Sequence, residues 1–109
     1  MKTVDDVTKD FLKSILVAIS KNSSKSYGIF ILKNLKKRLI KDYPLFKLIK
    51  FNNSNIEIDA KILTANTNDI SKLLNKIINM LGPDILKLFI KDHLDNYDIK
   101  YLNSIGVRF

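Results

Sequence analysis

His93 is the only histidine of the chain, with Asp92, Asp95 and Asp98 close to it in sequence. An imidazole beside carboxylates suggests a general base or a hard-cation site, and the spacing supports neither. The three aspartates lack the alternating ligand order and the glycine of a calcium loop. A lone imidazole supplies none of the usual transition-metal spacings, and a general base needs a nucleophile or substrate site that the sequence does not supply. The expected role of His93 is packing beside Phe89 and Tyr97, with the aspartates forming a solvated helix end.

Other chemistry is equally thin. There is no cysteine, which excludes disulfides, zinc knuckles and thiol nucleophiles. Gly28, Gly82 and Gly106 are isolated, so no phosphate-cradling loop can be built. Ser20, Ser23, Ser24 and Ser26 have no nucleophile-elbow context. Glu57 is the sole glutamate, leaving scattered aspartates for any paired-carboxylate reaction. The expectation is a protein without catalytic residues, cofactor or metal.

Charge offers a candidate surface instead. Nineteen basic against eleven acidic residues give a net charge of +8, and the excess is localised. Lys33, Lys36, Lys37, Arg38, Lys41, Lys47 and Lys50 face only Asp42 within residues 33–50, whereas residues 51–109 balance. Such a stretch suits an anionic partner. Part of the lysine excess has a blander source. Lys, Ile and Asn, all encoded by AT-rich codons, make up about 40% of the chain, and arginine, the usual bidentate reader of bases and phosphates, occurs only at 38 and 108.

These residues must be held by a small fold. The chain has 109 residues, 46% of them apolar and 28% charged, enough for one domain. Thr3 and Asp6 have capping-box spacing, predicting a helix from Val4, with Val7, Phe11, Ile15 and Ala18 on its core stripe and Leu12, Leu16 and Ile19 beside it. Residues 21–26 read as a loop. A basic amphipathic helix is expected over Tyr27 to Lys41, with Gly28, Leu32, Leu35 and Leu39 inward; the alternation of Tyr27, Ile29 and Ile31 also permits a short strand over 27–32. Segregated faces of this kind also occur in interfacial membrane helices, but here the apolar face is needed by the core. Pro44 should end the helix.

Two β-rich runs, Leu45 to Phe51 and Ile56 to Leu63, predict a hairpin about Asn53-Ser54. Its expected pairs are Phe51 with Ile56, Ile49 with Ile58, Lys47 with Ala60 and Leu45 with Ile62, with Lys50 opposite Glu57 on the other face. Beyond a loop over 64–68, the spacing of Ile70, Leu73, Leu74, Ile77, Ile78 and Leu81 predicts a third helix, ended by Gly82. A fourth is expected from Pro83 to about Asp95, then a turn capped by Asp98 and ended by Gly106, with a strand starting in the last residues. The fold class is α+β, mainly helical, in the order α-α-β-β-α-α.

The stretch Ile15 to Leu35 resembles the opening of PadR-like winged-helix regulators, where a helix, a Gly-Tyr or Tyr-Gly pair and a second helix follow one another. The resemblance covers about a fifth of the chain and stops at Leu35, because no turn-forming break precedes Asp42 where a helix-turn-helix requires one. No apolar stretch approaches the length of a membrane span, the acidic N-terminus is unlike a secretory signal, and a cysteine-free chain suits the cytoplasm. The functional expectation is a non-enzymatic protein-interaction or regulatory module, acting as a homodimer or docked to a larger protein. Its alternative is nucleic-acid binding, as a winged-helix-like regulator or ribonucleoprotein subunit, through residues 33–50.

Overall fold

The computed structural model describes residues 2–21, 23–53, 55–82 and 89–108. Helix α1 spans Val4–Ser20 and starts where its capping signal places it, with the Thr3 amide donating to the Asp6 carboxylate at 3.1 Å. Val7, Phe11, Leu12, Ile15 and Leu16 are buried, so α1 is the central element. It packs on α2, on the hairpin and on the last helix.

Helix α2 spans Lys25–Leu39, beginning and ending two residues earlier than its periodicity suggests. Ser24 explains the start: its hydroxyl accepts from the Tyr27 amide at 3.1 Å and caps the helix. Residues 27–32 are helical throughout, so the third strand considered for this segment is not formed. The helix runs unbroken to Leu39, and the turn of a helix-turn-helix is likewise absent from it.

The hairpin is shorter than its β-rich runs. Strands β1 (Ile49–Asn52) and β2 (Asn55–Ile58) pair in the expected register, Ile49 with Ile58, Lys50 with Glu57 and Phe51 with Ile56. The outer pairs, Lys47 with Ala60 and Leu45 with Ile62, do not form. Pro44–Leu48 and Ala60–Thr64 are 3-10 turns, started by Pro44 and by Asp59, whose carboxylate accepts from the Lys61 amide at 2.9 Å. Each turn rotates one large side chain into the core, Phe46 and Ile62, both fully buried. The Glu57 side chain accepts from Asn52 Nδ2 at 2.8 Å, although the register sets it opposite Lys50.

Helix α3, Thr67–Leu81, is capped by Asn66 and buries Ile70, Leu73, Leu74, Ile77 and Ile78. Gly82 follows at φ 101°, in the left-handed region expected of it. The proposed start of the fourth helix at Pro83 lies outside the described residues; residues 89–93 are helical and form the described part of α4. Helix α5, Asn96–Ser104, replaces the expected terminal turn. Its cap is Asp95, accepting from the Asp98 amide at 2.8 Å, so Asp98 lies inside the helix rather than at its cap.

Residues 107 and 108 form no strand. They are tied to α3 by one side chain: Asn75 donates to the Gly106 carbonyl at 3.0 Å and accepts from the Arg108 amide at 3.0 Å. Val107 is buried between these anchors. The whole is an α+β fold, helices around one antiparallel hairpin. Among the described residues no helix is long and apolar enough to cross a membrane.

Candidate anionic-partner interface

The outer face of α2 carries three exposed cations of the basic stretch. Leu32, Leu35 and Leu39 take the inner face, which turns Lys33, Lys37 and Arg38 outward. Tyr27 and Phe30 share this outer face and are 50% and 56% exposed. At 100° per residue, Tyr27, Phe30, Lys33, Lys37 and Arg38 fall within an arc of about 140°. The face therefore carries two aromatic rings and three cations, and Lys41 is exposed in the turn that follows.

The seven predicted residues do not form one patch. Lys33, Lys36, Lys37 and Lys50 gather around a shallow cleft of about 370 Å³ between α2 and β1, with Ile40 and Phe51 in its walls. Lys36 is committed within the fold: its Nζ donates to the Ile49 carbonyl at 2.6 Å. Burial, and then the neighbouring Lys50, lower its pKa. Arg38, Lys41 and Lys47 lie outside this cleft, Lys47 on the first 3-10 turn. The two exposed aromatics were not among the predicted site residues, yet Phe30 precedes Lys33 by three positions and Lys37 by seven, and Tyr27 precedes Phe30 by three, a spacing visible on a helical wheel.

Among the described residues the ion pairs are three, and all are made by Lys2. Its ammonium meets Asp10 at 2.7 Å, Asp98 at 3.1 Å and Asp95, tying the N-terminus to α1 and α5. The expected solvated cluster of Asp92, Asp95 and Asp98 is thus divided. Asp92 is exposed, Asp95 both caps α5 and holds Lys2, and Asp98 is buried at 2% exposure with its Oδ1 lacking a hydrogen-bond partner among the described residues. His93 stacks on Phe89 as expected, with centroids 4.2 Å apart, and its Nδ1 is 3.0 Å from the Phe89 carbonyl. The Tyr97 hydroxyl donates instead to the Lys2 carbonyl at 3.1 Å. No group of side chains able to hold a metal ion occurs among the described residues.

The Lys2 cluster has a pH signature. Its hydrogen bond to Lys2, then that to the Asp98 amide, lowers the pKa of Asp95, so its contribution is present above the ordinary carboxylate range and is lost as pH falls. Asp98 is shifted oppositely: burial raises its pKa in spite of Lys2, so charging it works against the fold as pH rises through that raised value. Lys2→Ala strands the buried Asp98 carboxylate. The variant should lower the thermal midpoint more at neutral pH, where the stranded carboxylate is charged, than at acid pH, where burial favours its protonated form, and Asp98→Asn should recover part of the loss at neutral pH. Thermal melts at both pH values check this; equal losses would assign the effect to packing.

No protein-family model, curated protein or solved structure matches this chain.

Proposed function

We propose that this chain is a non-enzymatic binding module that docks single-stranded nucleic acid on the outer face of α2. The observation that carries the reading is the placement of Tyr27 and Phe30, half-exposed and one helical turn apart, on the face of Lys33, Lys37 and Arg38. Aromatic rings left in water are a cost that a soluble fold normally avoids in pairs, and bases stack on such rings while lysines follow the phosphates. No described acidic residue pairs with these cations, and the nearest acid in sequence is Asp42. The face is held firmly, by the Ser24 cap and by close packing of α2 on α1 at Gly28.

Self-association through strand edges has less support at β1. The Leu48–Asp59 bond at 2.8 Å fixes which residues pair across the ladder and leaves the Ile49 carbonyl pointing outward. Lys36 already covers it, the usual way an edge is kept from joining another strand.

The test is binding of a labelled single-stranded oligonucleotide by fluorescence anisotropy across a salt series. Four contacting cations imply a log–log salt slope near about −3. Replacing Lys33, Lys37, Arg38 and Lys41 with Glu is expected to abolish binding, and Tyr27→Ala or Phe30→Ala to weaken it about tenfold or more. Unchanged binding by the charge-reversed protein would overturn the proposal.

A further inference from the structure

A second surface, away from the outer face of α2, presents a trough of about 800 Å³ between α1, the first residue of α2 and strand β2. Its apolar part comes from Leu16, Ile56 and Val17, and Val17 is 48% exposed, an aliphatic side chain left uncovered beside the hairpin. Lys9, Lys13, Lys21 and Lys25 border it, while Glu57 stands on the β2 side. Along α1 the sequence Lys9, Lys13, Val17, Lys21 repeats every four residues, so its members follow one another at about 6 Å. Lys21 is steadied by the Phe89 ring, its ammonium 5.7 Å from the centroid.

We infer that this trough receives an acidic amphipathic helix of a partner protein, with aliphatic residues against Val17 and carboxylates along the lysine row. The cations are distributed along one wall rather than converging on a point, which suits a repeated charge and not a single head-group. A helix with Asp or Glu at every fourth position carries its carboxylates at the same interval of about 6 Å. The aliphatic lining, with no aromatic ring among the described bordering residues, suits side chains of the leucine type rather than bases. Glu57 fixes orientation, since it repels a helix that is acidic on both flanks. The site is independent of the α2 face, so either proposal stands or falls without the other.

A labelled helical peptide with Glu at every fourth position and Leu on the adjoining face is the probe, titrated by fluorescence anisotropy. Its controls are a peptide of the same composition in scrambled order and an oligonucleotide of equal charge. The patterned peptide is expected to bind at least tenfold more tightly than the scrambled one. Lys9→Gln, Lys13→Gln and Lys25→Gln together should weaken it at least tenfold, and Val17→Asp alone to a similar degree, with circular dichroism confirming that each variant is folded. The α2 charge reversal should leave peptide binding unchanged. Equal binding of both peptides, loss of peptide binding on α2 reversal alone, insensitivity to the lysine and Val17 variants, or no binding up to millimolar peptide would overturn the inference.

Discussion

Phe46→Ala is expected to bring the domain to the edge of unfolding. Phe46 is fully buried and sits on the 3-10 turn that touches α2, α3, β1 and the second 3-10 turn. It meets Phe51 edge-on, with centroids 6.3 Å apart and planes at 70°. Removing a buried phenyl ring costs about 3–5 kcal/mol, because the space it leaves collapses only in part. Against a typical stability of about 5–15 kcal/mol, this is a large fraction of the total. Urea denaturation followed by circular dichroism should show the midpoint falling steeply with the slope little changed. A loss under about 1 kcal/mol would mean that the ring does not seat the hairpin on the helices.

The second large effect is expected where the first two helices meet most closely. A Cβ at Gly28 would lie 2.5 Å from Ser20 Oγ and 2.6 Å from Leu16 Cδ1. Alanine is better than glycine inside a helix by about 1 kcal/mol, a gain that the clash offsets. Valine adds two methyl groups to a Cβ position already crowded by these side chains and 3.4 Å from the Leu16 carbonyl. Gly28→Val should therefore destabilise by about 1–3 kcal/mol, and Gly28→Ala by less. Ser20 Oγ is buried without a hydrogen-bond partner among the described residues, so Ser20→Ala should be nearly neutral alone and should relieve part of the Gly28→Ala cost. Additive effects in that double variant would show that the two residues are not in contact.

Much of this architecture is legible in the chain. Thr3 and Asp6 locate the start of α1, the apolar pairing of the β-rich runs gives the hairpin register, and Gly82 marks the end of α3. The errors share a cause: local hydrogen bonds overrule periodicity. Ser24 starts α2 before its apolar stripe begins, and Asp59 bends the chain out of the ladder although Ala60 to Leu63 continues the β-rich composition. A strand continued back to Leu45 would put Leu45 on the apolar side and Phe46 opposite, the reverse of their burial. The basic stretch was legible as charge but not as a surface. Its seven residues straddle a helix, a turn and a strand, and Lys36 is diverted to a backbone carbonyl. The lysines of α1 do not stand out in a sum along the sequence, because Asp5, Asp6 and Asp10 offset them, and the trough they border exists only once β2 packs beside the helix.

The central position of α1 also bears on how the protein is made. Its Phe11, Leu12 and Ile15 are fully buried, and the helix packs on elements that arrive much later, the hairpin and finally α5, to which Lys2 is clasped. At about 5–20 residues per second, a ribosome needs roughly 4–17 s to add the residues from the end of α1 to the end of α5. During that interval this apolar helix has no finished cavity to enter. The nascent chain should consequently be a client for holding chaperones until α5 leaves the exit tunnel.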